Sequence, residues 1–164
     1  MPLIKIVSGG QTGVDRGALD AALDAGFGCG GWCPEGRMAE DGEIPARYLM
    51  EVLAGAGYEK RTLQNVLDSD GTAIIYFAVL EGGTLQTKEY CVTHRKPFEL
   101  VDASRARPRE AAASIAAFIE HHSITVLNVA GPRASKQPAA YDYARSTIRH
   151  LLEALAERQS RSTP

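Results

Sequence analysis

The chain is poor in cysteine and nearly balanced in charge, and each of these excludes something. Three cysteines, Cys29, Cys33 and Cys91, stand in 164 residues. Three thiols cannot all pair within one chain, and so sparse a set is not the disulfide framework of a small secreted domain. Cys29 and Cys33 form C-x3-C, with His94, His121 and His122 elsewhere. Structural zinc normally takes four ligands at tighter repeated spacing, so these are expected to be passive thiols and no metal site is expected. Lys+Arg number 18 against Asp+Glu 20, a net charge of -2, which leaves no uniform basic field for nucleic acid. Any anion site must therefore be local. No apolar run reaches the roughly 18 to 20 residues of a membrane span, and no basic stretch with an apolar core and cleavage site opens the chain. The expected setting is a reducing cytoplasm, with neither nucleic acid nor membrane as a partner.

Familiar nucleotide and hydrolase signatures are missing too. "SGGQTGVDRG", Ser8 to Gly17, has no lysine after Gly13 and so is not G-x-x-x-x-G-K-[ST]. Its glycines at 9, 10, 13 and 17 do not spell G-x-G-x-x-G. There is no G-x-S-x-G, and Ser8 and Ser135 have no evident histidine partner for a triad.

What is present is an alternation. Leu3–Val7, Ala73–Phe77, Pro97–Val101 and Ile124–Val129 are apolar runs of strand length, and a short strand is expected within Gly28–Cys33. Between them lie helical patterns: Thr12–Ala25, Arg61–Leu67, Thr84–His94, a segment opening at Pro108 with Ala112, Ile115, Ala116 and Ile119 on one face, and Tyr141–Glu157. Continuous apolar strands separated by amphipathic helices predict an α/β, Rossmann-like, doubly wound and mostly parallel sheet with helices on both faces. The expectation is a single domain over residues 1–158 and a flexible tail over 159–164. The glycine-, proline- and charge-rich stretch from Gly26 to Tyr48 breaks the rhythm, and so long a loop in a small domain is expected to be functional. "DSDG", Asp68 to Gly71, is too short for a calcium loop and is expected to be a polar turn.

In such sheets ligands bind beyond the carboxyl ends of the strands. Three loops occupy those ends: Ser8-Gly9-Gly10-Gln11-Thr12-Gly13, then Glu81-Gly82-Gly83-Thr84, then Gly131-Pro132-Arg133-Ala134-Ser135-Lys136. All three combine glycine with a hydroxyl, which suits backbone N–H groups and side chains converging on an anion. Each alone also fits a plain turn or cap; Thr12 with Asp15 fits a helix N-terminus. A helix N-terminus contributes about 0.3 to 2 kcal/mol toward an anion, whereas micromolar affinity needs about 8 kcal/mol. One loop is not enough, so the three are expected to converge, joined by guanidinium groups from Arg16, Arg37, Arg61 or Arg133 and by Lys136. Asp15 and Arg16 are expected to orient the first loop, and Arg37 to reach in from the long segment.

These stretches resemble the molybdenum carrier proteins, a branch of the SLOG group of Rossmann-like proteins. The resemblance runs through "SGGQTGVDRGALDAA", "GGWCPEGRMAEDGEIP", "RTLQNVLDSDGT", "GGTLQT" and "NVAGPRASK", nearly the whole chain. It implies a non-catalytic protein that binds the molybdenum cofactor (molybdopterin), or molybdate or another oxyanion. It also implies a homotetramer that stores, protects or delivers its cargo to molybdenum enzymes or receives it from cofactor-synthesis proteins. The implied site takes in Ser8, Gly9, Gly10, Gln11, Thr12, Gly13, Arg16, Arg37, Gly82, Gly83, Thr84, Gly131, Arg133, Ser135 and Lys136. Two alternatives stay open: a nucleotide-sensing module using the same loops, and a hydrolase resembling the LOG enzymes. The latter cleave nucleoside monophosphates with P-G-G-x-G-T-x-x-E. "EGGTLQTKE" keeps the two glycines and Glu89, which would be catalytic only in this alternative, but replaces the proline with Glu81 and Gly-Thr with Leu85-Gln86.

Overall fold

The apolar runs become parallel strands and the amphipathic stretches become the helices that cover them. The structure, a computed structural model, describes residues 2–164. β1 (Lys5–Val7) passes through the first glycine loop into α1 (Val14–Asp24) and β2 (Cys29–Gly30). An insertion follows, with β3 (Trp32–Pro34), a single 3-10 turn at Glu35–Arg37, a hairpin of β4 (Met38–Ala39) and β5 (Gly42–Glu43), and β6 (Glu51–Leu53). Then come α2 (Tyr58–Leu67), β7 (Gly71–Tyr76), α3 (Gly82–Thr93), β8 (Phe98–Asp102), α4 (Pro108–His122), β9 (Val126–Ala130) and α5 (Ala140–Ser162).

Five strands form one parallel sheet in the order β2-β1-β9-β7-β8. The last strand of the chain thus lies at the centre. Counted from β9, the order becomes 3-2-1-4-5, the doubly wound arrangement with its starting point moved along the chain. The molecule is a single-domain Rossmann-like α/β fold with helices on both faces. α5 packs between α1 and α4 on one face, while α2 and α3 pack together on the other.

The first face carries most of the core: Ile6, Leu127 and Val129 from the sheet meet Ile115, Ile148 and Leu151 from the helices, all inaccessible or nearly so. Each such side chain contributes about 1.5–3 kcal/mol when fully buried. The second face has a smaller cluster around Val66, Ile74 and Cys91. The insertion has its own core, in which Leu19 of α1 packs with Cys33, Ile44 and Tyr48.

Most boundaries shift by one to three residues from the sequence-based expectation, β1 starting at Lys5 and β7 running over Gly71–Tyr76, and some differences go further. The Gly28–Cys33 strand is two strands in two sheets, because Gly31, at φ 128°, turns the chain out of the main sheet and β3 pairs with β6 instead. β6 itself was not expected: Glu51 and Val52 are both exposed, so no alternating pattern marks it. α2 starts at Tyr58 rather than Arg61. α5 runs on to Ser162, through most of the stretch expected to be a flexible tail. The "DSDG" turn also ties down the sheet, since the Asp70 carboxylate accepts from the amides of Thr125 (2.9 Å) and Val126 (2.8 Å) at the start of β9.

Candidate functional site

Between neighbouring strands β9 and β7 the chain leaves toward opposite faces, into α5 and α3 respectively. A crevice opens at such a point. Here it is a cavity of about 620 Å³, floored by the ends of β7 and β9, walled by α2 and α3, and roofed by all three glycine loops. That volume lies within the usual 300–1,000 Å³ of small-molecule sites.

Of the residues expected in the site, Gly9 and Gln11 of the first loop, Gly82, Gly83 and Thr84 of the second, and Gly131, Arg133 and Lys136 of the third line this cavity. Glu89 lines it as well. The others are placed elsewhere, each held by a protein partner. The Ser8 hydroxyl is buried and donates to the Val129 carbonyl at 2.6 Å. Gly10 packs toward Ile44 and Met50 of the insertion. Gly13, at φ 81°, lies so close to the third loop that a Cβ would stand 2.8 Å from the Ala134 amide nitrogen, so it joins the two loops rather than facing the cavity. The Arg16 guanidinium grips Asp41 at 2.5 and 2.7 Å and donates to the Gly10 carbonyl at 3.1 Å. Arg37 does not reach in from the long segment: it donates to the carbonyls of Ile44 (3.1 Å), Pro45 and Tyr48 (both 2.9 Å), stapling the insertion internally. The hydroxyls of Thr12 and Ser135 both donate to Glu40.

Backbone donors are unequally available among the loops. In the third loop, Ala134 N–H donates to the Thr12 hydroxyl at 3.1 Å and Ser135 N–H to Glu40 at 3.1 Å. In the second, Glu81 caps α3 without any side-chain bond, and the first turn holds no acidic residue. The first internal bond is from Leu85 N–H to the Glu81 carbonyl at 3.1 Å, which leaves the amides of Gly82, Gly83 and Thr84 as the unpaired donors of a helix start. Above them stands Lys136, whose Nζ is 3.1 Å from where a Cβ on Gly82 would be. Among the described residues no hydrogen bond engages Lys136 Nζ or the Nη groups of Arg133.

The opposite wall carries a buried pair, Arg61 and Asp15. Arg61 of α2 donates through Nη1 to the Gly9 carbonyl at 2.9 Å and through Nε to the Tyr58 carbonyl at 3.2 Å, and lies 3.5 Å from Asp15. Asp15 accepts from the Gln11 amide at 3.2 Å. Burial pushes the Asp15 carboxyl above its ordinary value, against the pull of Arg61 and the hydrogen bonds to it. Glu59, Glu81 and Glu89 add carboxylates around the rim, and Glu59 and Glu89 together, after burial, raise the Tyr90 hydroxyl. The cavity is therefore lined by both signs of charge: Lys136 and Arg133 come from the third loop, and Glu59, Glu81 and Glu89 from α2 and the start and body of α3. Tyr58, Asn65 and Asn128 also line it; nothing in their spacing marks them, although Asn65 falls inside "RTLQNVLDSDGT" and Asn128 inside "NVAGPRASK". Among the described residues no three His, Cys, Asp or Glu side chains come together as a metal site.

Residues 6–152, most of the chain, match the circularly permutated YpsA SLOG family, cpYpsA. The chain is also similar to a crystal structure of the "Putative molybdenum carrier protein" of Syntrophus aciditrophicus SB, with 43% identity, 92% of this chain and 95% of that chain covered, and a TM-score of 0.89. Nothing among curated proteins matches.

Proposed function

The chain belongs to the circularly permutated YpsA SLOG family, and from that premise we propose that it is a carrier of the molybdenum cofactor. The ligand's phosphate and oxo-molybdenum end sits in the cavity between α2 and α3. The observation that carries this reading is the opposition of Lys136 and Arg133 to the uncapped N-terminus of α3. Hydrogen bonds to charged groups contribute about 1.5–3 kcal/mol each, and the helix start about 0.3–1 kcal/mol more. Two cations with the three first-turn amides therefore reach the roughly 8 kcal/mol of micromolar binding. Glu59 and Glu89, which line the same cavity, supply acceptors for the amino and ring N–H groups of the pterin. The name of the Syntrophus relative supports the same cargo. Carrying needs no nucleophile, and burial pushes all three thiols above their ordinary values, away from the reactive thiolate.

Protein isolated from molybdenum-replete cells is expected to hold a pterin with one molybdenum per subunit, read by native mass spectrometry with metal analysis. The same spectrum counts subunits and so checks self-association into a homotetramer, which belongs to this proposal together with handover to molybdenum enzymes. Lys136→Ala should weaken retention at least about tenfold, the loss of one charge-assisted bond. Protein that neither retains nor takes up the cofactor ends the carrier reading. The position of Glu89 on the cavity wall favours one rival, nucleotide hydrolysis. Free base released from a nucleoside monophosphate, and lost on Glu89→Ala, would establish it instead.

A further inference from the structure

The third loop already holds an anion, and it is the protein's own. Glu40 sits at the tip of the β4–β5 hairpin. Its carboxylate accepts from the Thr12 hydroxyl, from the Ser135 amide at 3.1 Å and from the Ser135 hydroxyl at 2.5 Å, with Arg133 Nε at 3.4 Å. Two hydroxyls, a backbone amide and a guanidinium are the donors that commonly surround a phosphate or similar tetrahedral oxyanion. They come from the first and third strand-end loops, where this fold places ligands. Arg133 is common to seat and cavity: it lines the cavity, while its Nε is buried and forms no hydrogen bond among the described residues. Burial alone would raise the Glu40 carboxyl, but the Ser135 and Thr12 hydroxyls outweigh it and hold it below its ordinary value. At neutral pH a full negative charge fills the seat.

The hairpin does not depend on that carboxylate for its position. β4 and β5 have two residues each, too few for a hairpin to stand alone in water. It is held from outside: the Glu40 amide donates to Gln11 Oε1 at 2.9 Å, and Asp41 receives Arg16 at 2.5 and 2.7 Å. The Glu40 side chain, 19% exposed, can rotate into water while these anchors stay in place.

We propose that Thr12, Ser135 and Arg133 form a second oxyanion seat beside the cavity, that it takes a tetrahedral oxyanion of the phosphate or molybdate type, and that Glu40 is the resident occupant which the incoming oxyanion displaces. This deepens the reading of the cavity as an oxyanion site and rests on it, because Arg133 belongs to both. Displacement breaks no covalent bond: a carboxylate leaves for water and a second anion takes its donors. A ligand seated here finds its affinity reduced by the cost of expelling Glu40, and residue 40 sets how readily cargo is gained and released.

Wild type, Lys136→Ala, Glu40→Ala and the Glu40→Ala/Ser135→Ala double variant are titrated with inorganic phosphate at constant ionic strength, followed by phosphorus-31 line broadening and by thermal shift. Glu40→Ala is expected to bind phosphate at least about tenfold more tightly than wild type, and adding Ser135→Ala should remove that gain. If Glu40→Ala does not fold, Glu40→Gln, which keeps an acceptor but not the charge, should gain at least about threefold. Equal affinity in wild type and the Glu40 variants, or a gain that survives the loss of Ser135, overturns the proposal. Phosphate binding that falls with Lys136→Ala but ignores Glu40 and Ser135 overturns this proposal alone; binding to none of the proteins overturns it together with the cavity reading.

Discussion

Gly13 and Lys136 show how two residues of the same neighbourhood separate stability from binding. Gly13 holds the first and third loops in backbone contact at a positive φ, and Val14 N–H donates to the Pro132 carbonyl at 3.2 Å just beside it. Gly13→Ala adds a Cβ against the Ala134 backbone and strains φ, a cost of about 1–3 kcal/mol. At about 2–4 °C per kcal/mol for a domain of this size, melting should fall by several degrees, with calorimetry as the check. Lys136 is exposed, and its ammonium has no protein partner among the described residues. Lys136→Ala should therefore leave the melting temperature within about 1 °C, since surface substitutions rarely exceed about 0.5 kcal/mol, while lowering oxyanion affinity. At this scale the glycine loops were legible only as a set, because each alone fits a plain turn and only their shared place at the carboxyl ends of neighbouring strands points to a common site. The fate of individual polar side chains was not. Thr12 and Ser135 look like ligand donors in any local window, but Glu40, in a different segment, takes both hydroxyls. Arg16 and Arg37 look like free cations until the fold of the insertion supplies Asp41 and a ring of carbonyls.

The insertion from β3 to β6 is the element whose order depends on a few buried polar contacts. Asp20 of α1 is almost wholly buried and accepts from the Tyr48 hydroxyl at 2.8 Å and from the Tyr141 hydroxyl, with Arg47 at 3.3 Å. One carboxylate thus ties the insertion to α1 and α5. Burial, followed by the hydrogen bond to Asp20 and its charge, pushes the Tyr48 hydroxyl up from 10.0 to about 12. Because the folded state holds this proton more tightly than the unfolded chain, the stabilisation is fully present below pH 10 and is lost as pH rises toward 12. Wild type should lose melting temperature across that interval, and Tyr48→Phe should show a shallower loss on top of a lower starting value. The starting deficit is expected to be about 1–3 kcal/mol, because Asp20 loses a donor while staying buried. Scanning calorimetry at stepped pH reads both effects; an identical slope in the variant would remove Tyr48 from the linkage. The sequence showed that the stretch was unusual, through its density of glycine, proline and charge, but not how it folds. β6 has an exposed face, β2 and β3 are split by one glycine, and such pairings are decided by tertiary contacts rather than by local pattern.

Strand order is the property of the whole molecule that local patterns leave undetermined. Alternating strands and helices specify a doubly wound sheet, yet any of several orders buries the same apolar runs. Only the pairing of β9 with both β1 and β7 shows that the chain begins at the second strand of the 3-2-1-4-5 order. In that order α5 would lead directly into β1. The two are indeed close: Pro2 and Leu3 line the same cavity as Leu155, Ala156 and Gln159 of α5. The natural opening lies elsewhere, at the exposed turn after α4, where Ser123 takes φ 53° and Ile124 N–H caps the helix at 3.0 Å from the Ile119 carbonyl. A chain that starts at Ser123, joins Gln159 to Pro2 through a short glycine–serine linker and ends at His122 is therefore expected to fold to the same sheet. The linker adds only about 1–2 kcal/mol of closure entropy, growing slowly with length, and the lost helix cap costs about 1 kcal/mol. Melting should fall by no more than about 5–10 °C and remain one cooperative transition. Phosphate should still bind, because all three glycine loops lie within uncut segments. A rearranged chain that folds but no longer binds phosphate would mean that the loops depend on the position of the termini, and a chain that does not fold would mean that α5 and β1 are not interchangeable neighbours in this sheet.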